Sequence, residues 1–267
     1  MKNGSTPAPA LPSSTVVLAR EAQSAPELFM VQRHAATAFG ESYAFPGGLV
    51  DSEDRAAHAH CEGLTTEEAD RLLDLPGNAL DYFSAAAREL FEESGVLLAR
   101  DAQGDWAFRG REAQREQLRE TLATGRRTWS ELLREQNLRV ACDVLHYIGH
   151  WETPLRLPKR FSTRFFMAAK PAGQQARHDG DELTDGRWIS AAEVLALARQ
   201  NAMQVRFPTV KNLQLIARHT SLPALIDWAH SRAADGIYCI RPEIIEVDGK
   251  PHPVLPGDRG YPRGDDE

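Results

Sequence analysis

The run Arg88-Glu89-Leu90-Phe91-Glu92-Glu93-Ser94-Gly95-Val96 constrains this chain more than any other stretch. Apolar residues at Phe83, Ala87 and Leu90 predict a helix over residues 79–94, buried on that side and ended by Gly95. On such a helix Glu89, Glu92 and Glu93 share roughly 100° of arc. Their like charges repel by about 0.2–0.5 kcal/mol per pair. Carboxylates in a last turn also face the negative end of the macrodipole, costing about 0.3–1 kcal/mol each when exposed. Arg88 offsets only part of this, so the breach of local rules marks a functional site.

The expected compensation is a divalent cation. Carboxylate oxygens with no interleaved Cys or His suit Mg²⁺ or Mn²⁺ rather than zinc. Mg²⁺ usually shares its coordination between one or two carboxylates, waters and substrate phosphates, so the natural substrate of the site is a phosphate or diphosphate. Some forty residues upstream, Phe45-Pro46-Gly47-Gly48 supplies a turn whose glycines let backbone approach a metal or phosphate closely.

These residues resemble the Nudix box, G-x5-E-x7-R-E-U-x-E-E-x-G-U, where U is aliphatic. Arg88, Glu89, Leu90, Glu92, Glu93, Gly95 and Val96 match its second half without a gap. With Gly48 as the leading glycine, Asp54 stands where the pattern has Glu, and residues 55–87 fill an interval for which the pattern allows seven. Phe29-Met-Val-Gln-Arg-His34, the insertion, Trp151-Glu-Thr-Pro154 and Arg160-Phe-Ser-Thr-Arg-Phe-Phe166 are further similar to the branch containing the peroxisomal-type coenzyme A diphosphatases.

The resemblance implies an α/β/α sandwich with a mixed sheet and a metal-dependent pyrophosphohydrolase. The expected metal ligands are Glu89, Glu92 and Glu93 with Gly48, Arg88 orienting the carboxylates. Glu89 is either a ligand or the group that orients the attacking water. Water is the expected nucleophile, because no Ser-His-Asp or Cys-His motif is recognisable. By analogy with late-loop glutamates of the family, Glu182 is the candidate general base. Arg156, Lys159, Arg160 and Arg164 form a dense basic cluster; from it Arg160 and Arg164, together with Arg33, Gly47 and Gly48, are the expected substrate contacts, since Arg forks match phosphate geometry. Trp151 and Phe165 are either base-stacking or core aromatics.

The implied substrate is a nucleoside diphosphate derivative, with coenzyme A or an acyl-CoA favoured. Rival readings are an ADP-ribose or NADH-type dinucleotide pyrophosphatase, an RNA-end pyrophosphohydrolase, and a non-catalytic nucleotide-binding sensor of Nudix type. A net charge of −7 argues against nucleic acid and anionic membranes as partners. Three cysteines without a C-x-x-C read as reduced thiols of a cytoplasmic protein, and the first fourteen residues lack the apolar core of a secretory leader. A homodimer is compatible with the family and the extra helices.

Organisation follows from patterning. Residues 1–13 are expected to be a flexible segment, and 14–267 a single domain. Strands are predicted at 15–22, 28–34, 144–151, 161–169 and 186–189. Polar insertions occupy about 52–78, with a helix near 65–75, and about 100–140, with helices at 110–124 and 128–136. Helices at 191–200, 208–219 and 223–233 form a C-terminal extension (about 191–235), and Asp248-Gly249 predicts a terminal hairpin.

Overall fold

A computed structural model describes residues 7–33, 41–180, 183–247, 249–259 and 261. In chain order the elements are β1 (Ala10–Arg20), β2 (Glu27–Arg33), β3 (Tyr43–Ala44), β4 (Gly47–Leu49), α1 (Ser52–Ala56), β5 (Cys61–Glu62), α2 (Thr66–Leu73), α3 (Ala79–Ser94), β6 (Ala99–Arg100), α4 (Glu112–Ala123) and α5 (Trp129–Glu135). There follow β7 (Arg139–Ala141), β8 (His146–Glu152), β9 (Arg160–Ala169), β10 (Leu183–Ser190), α6 (Ala191–Arg199), α7 (Phe207–Ile216), α8 (Leu222–Ala234), β11 (Cys239–Ile240), β12 (Glu243–Val247) and β13 (Lys250–Val254).

The main sheet runs β10-β2-β1-β9-β8-β11, with β3 beside β2 and β4 beside β1. It is mixed: β1 lies parallel to β9 and antiparallel to β2, and β8 is antiparallel to β9. The central strand β1 is covered on both faces, as its unbroken apolar run Val16-Val17-Leu18-Ala19, fully buried, requires. Alternation sends Val16 and Leu18 into one core and Val17 and Ala19 into the other. Each fully buried large apolar side chain contributes about 1.5–3 kcal/mol. The first core packs under α3, with Phe83, Leu90 and Phe91 fully buried; the second packs under α6, α7 and α8 through Val194, Leu213, Ile216 and Leu225. The result is the expected α/β/α sandwich, and the C-terminal helices cap one face of it.

α3 has the expected bounds, closed by Gly95 in the left-handed region at φ 69°, its N–H returning to the Phe91 carbonyl. α2 starts at the capping box of Thr65 and Glu68. β1 departs from expectation by starting at Ala10, inside the segment read as flexible. The reason is tertiary: parallel pairing runs from Ala10 opposite Arg160 to Ala19 opposite Ala169, a ladder invisible to local composition. The hairpin forms as β12–β13; Asp248 of its turn lies outside the described residues. No helix among the described residues is long and apolar enough to cross a membrane.

Candidate active site

The carboxylate helix is held from behind by a buried ion pair. Asp54, fully buried on α1, accepts hydrogen bonds from Nε (3.0 Å) and Nη2 (2.9 Å) of Arg88 and from Ser84 Oγ (3.2 Å). Arg88 reaches forward from this anchor. Its Nη2 also donates to the Leu49 carbonyl (2.8 Å), and its Nη1 donates to Glu89 Oε1 (2.9 Å) and Glu92 Oε2 (3.2 Å). Five hydrogen bonds thus match the five N–H groups of a guanidinium. Burial works against the Arg88 cation, but Asp54, Glu89 and Glu92 outweigh it and hold the group more firmly charged than usual. The residue that departs from the box pattern, Asp54, therefore fixes the rotamer of Arg88. The second insertion joins this support, because Trp129 Nε1 donates to Ser84 Oγ at 3.1 Å.

The glycine turn faces the carboxylates. Glu93, buried, accepts a 2.8 Å hydrogen bond from the Gly47 N–H. Gly48 lies so close to Glu89 that an added Cβ would stand 2.5 Å from both carboxylate oxygens. Burial pushes the Glu92 carboxyl up to about 7, an effect that Arg88 opposes and Glu89 reinforces. An all-oxygen donor set, packed against a glycine turn where a side chain would crowd Glu89 and carrying a carboxyl raised by burial, fits a hard divalent cation.

Part of the unfavourable end of α3 is relieved in a way the sequence did not suggest. Arg115 and Arg119 of α4, both buried, donate from their Nε atoms to the carbonyls of Gly95 (2.6 Å) and Glu92 (2.8 Å). They bring positive charge to the helix C-terminus. No spacing rule links them to α3, since they come from the other insertion.

A cavity of about 670 Å³ opens at Gly47 and Gly48 and runs between β9, the loop after β8, the start of α7 and the β12–β13 hairpin. Its volume suits a small-molecule ligand. Trp151, Phe161, Phe165 and Phe207 line it, along with the exposed cations Lys159 and Arg206. Trp151 and Phe165 are therefore both buried aromatics and cavity wall. None of residues 52–78 lines this space; the first insertion buttresses α3 instead.

The expected substrate contacts divide. Arg160 and Arg164 are buried on the face of β9 opposite Phe161, Thr163 and Phe165. Arg160 donates to the carbonyls of Ala8 (2.7 Å) and Thr153 (3.4 Å), and Arg164 lies 4.5 Å over the Tyr82 ring with Nη1 3.3 Å from the Tyr82 hydroxyl. Neither lines the cavity, whose wall carries Lys159 and Arg206. Arg33 ends β2 opposite Leu183, and nothing of its side chain is described. Glu182 lies outside the described residues. A second set of ligand-type atoms, from His150, Glu152 and Cys239, falls within 4.8 Å of one another. Arg164 at 3.3 Å from His150 Nε2, with Arg160 and Arg241 on Glu152, surrounds that set with positive charge.

The chain is 25% identical over 194 residues to acyl-coenzyme A diphosphatase NUDT19 of Xenopus laevis, covering 68% of this chain and 51% of that protein. It is 24% identical to the Gallus gallus protein of the same name, covering 90% of this chain and 74% of the relative. The chain thus spans about half the length of the first relative and about three quarters of the second. Among solved structures, a NUDIX hydrolase from Alicyclobacillus acidocaldarius superposes with a TM-score of 0.68 at 23% identity, covering 82% of this chain and 96% of that one, a likeness of fold. The family model described as the NUDT19 Nudix domain matches residues 60–216, more than half of the sequence and the whole of α3, and the chain belongs to that Nudix family.

Proposed function

We propose that this protein hydrolyses a diphosphate linkage in a nucleoside diphosphate derivative, with coenzyme A or an acyl-CoA as its favoured substrate. The observation that carries the reading is the Arg88-ordered carboxylate set packed against Gly47 and Gly48, the two glycines that also line the cavity. The names of the two NUDT19 relatives support the choice of substrate.

Glu89, Glu92 and Glu93, with the Gly48 carbonyl, would hold Mg²⁺ or Mn²⁺. When bound, such an ion neutralises charge developing on the diphosphate and makes a nearby water more acidic. The chain's own residues do the rest. Arg88 keeps Glu89 and Glu92 converged, and the Gly47 N–H orients Glu93. Burial raises the Glu92 carboxyl to about 7, so positive charge beside it favours the carboxylate form. Glu89 is a ligand or orients the attacking water, and Glu182 remains the proposed acceptor of that water's proton. Attack on phosphorus breaks one P–O bond of the anhydride. From coenzyme A the products are phosphopantetheine and adenosine 3′,5′-bisphosphate. Lys159 and Arg206, in the cavity lining, would meet substrate phosphates.

The test is incubation of the purified protein with Mg²⁺ and, separately, coenzyme A, acetyl-CoA, NADH, ADP-ribose and capped RNA, with products identified by mass. Cleavage confined to the coenzyme A species is the expected result. Cleavage of NADH or ADP-ribose alone would replace it with the dinucleotide reading. Nucleotide binding without any cleavage would point to a sensor.

A further inference from the structure

Part of the cavity wall lies beyond the span that the family match reaches. The match ends at residue 216, whereas that part is built by Pro242, Ile244, Pro251 and Pro253 of the C-terminal hairpin segment. None of these four side chains carries a hydrogen-bond donor or acceptor, and the three prolines also lack a backbone N–H. A purine edge or a ribose placed there would find no polar partner among these side chains. A polymethylene chain needs no polar partner and gains by leaving water.

The attachment of this wall is also distinctive. Among the described residues, β12 and β13 pair only with each other and form a sheet of their own. Isolated two-stranded hairpins are marginal, so packing must hold this one in place. Val254 is buried, and Arg156 in the loop after β8 donates to the Ile244 carbonyl and lies 4.0 Å from the Glu243 carboxylate. The hairpin can therefore adjust to a cavity ligand without breaking a ladder of the main sheet.

We propose that the β12–β13 hairpin is the specificity wall for the substrate's apolar tail: Ile244 and Pro253 contact an S-acyl chain whose diphosphate lies at the Gly47–Gly48 turn. This rests on the diphosphatase reading of the site. Side-chain size at position 244 then sets the length of chain accepted, because each methylene that a pocket accepts or refuses changes discrimination by a factor of roughly 10 to 200.

Two measurements test it. In the first, kcat/KM is determined for saturated acyl-CoAs from acetyl to palmitoyl with the unaltered protein, Ile244→Trp and Ile244→Ala. The ratio of palmitoyl-CoA to acetyl-CoA turnover should fall about tenfold or more in Ile244→Trp and rise in Ile244→Ala. Equal scaling of the whole series would overturn the proposal. The second measurement needs no turnover: tryptophan fluorescence is titrated, in EDTA, with an acyl-CoA brominated along its chain. Saturable quenching that disappears in Trp151→Phe and weakens in Ile244→Glu, a change that adds no fluorophore, is expected. Quenching indifferent to both changes would overturn the proposal. Quenching with this pattern in a protein that cleaves no coenzyme A species would leave the wall standing and sink the diphosphatase reading. Cleavage with an unchanged chain-length ratio would do the reverse.

Discussion

Asp54 and Arg88 lie 34 residues apart in sequence and meet as a two-point ion pair, 3.0 and 2.9 Å, beneath the carboxylate helix. The pair is out of contact with solvent on the Asp54 side, and Arg88 extends from it to two glutamates and to the Leu49 carbonyl beside the glycine turn. Asp54 is thus a positioning residue for the site through Arg88.

Removing one member of a buried pair leaves an uncompensated charge, at a cost of about 3–5 kcal/mol. Asp54→Ala should therefore lower the Tm by about 10 °C for a domain of this size. It should also reduce kcat, because Arg88 loses the anchor that fixes its direction. Arg88→Met in the same background should cost much less than Arg88→Met alone, since the pair is already broken. Additive losses in a thermal-melt double-mutant cycle would show that the two residues are not coupled.

The two glycines of the turn should fail differently. A Cβ on Gly47 would stand 2.3 Å from the Ser14 carbonyl oxygen at a backbone φ of 154°, so relief requires β1 to move. A Cβ on Gly48 meets only the end of the Glu89 side chain, which can swing away. Gly47→Ala is expected to destabilise the fold by about 2 kcal/mol or more, the range of overpacked sites. Gly48→Ala should melt near the unaltered protein yet lose most of its turnover and its Mg²⁺-induced rise in Tm. Melting curves with and without Mg²⁺, beside initial rates, separate the two.

What could be read from the sequence depended on the range of the interaction. α3 was legible because its periodicity and its Gly95 stop are local, and the carboxylate face follows from helical geometry alone. The partner of Arg88 was not, because an insertion of unknown path separates it from Asp54. The basic cluster shows a different limit. Alternation along β9 puts Arg160 and Arg164 on one face and Phe161, Thr163 and Phe165 on the other, but which face meets the cavity is decided by α7 and the C-terminal hairpin. Arg115 and Arg119 gave no signal, since capping of α3 by α4 is a tertiary event.

Two histidines should make the fold acid-sensitive. Burial, with His230 nearby, pushes the His146 imidazole down to about 4, and burial with Arg164 nearby does the same to His150, both from an ordinary 6.5. Between those values the unfolded chain takes up protons that the native state refuses. The neutral imidazoles therefore favour the fold fully above pH of about 6.5, and that contribution is lost as the pH falls toward 4. Each such proton tilts stability by at most about 1.4 kcal/mol per pH unit, and partial exposure reduces this. Urea midpoints should fall from pH 7 to pH 4.5, and less steeply in the His146→Gln/His150→Gln variant. Parallel slopes for the two proteins would remove these histidines from the account.

Glu93 offers the cleanest separation of charge from shape. Gln at this position keeps an oxygen that can accept from the Gly47 N–H, so the turn and the helix should stay together. It removes one negative charge from the proposed ligand set, where metal charge stabilisation is worth several kcal/mol. Glu93→Gln should therefore melt within about 2 °C of the unaltered protein without Mg²⁺, a shift no larger than the loss of one hydrogen bond would produce. The Mg²⁺-dependent rise in Tm should shrink as affinity drops. Turnover at saturating Mg²⁺ should fall by about 100-fold or more, equivalent to about 2.7 kcal/mol of barrier. Turnover surviving within a few-fold would mean that Glu93 is held by Gly47 for structure alone, and that the cation is bound without it.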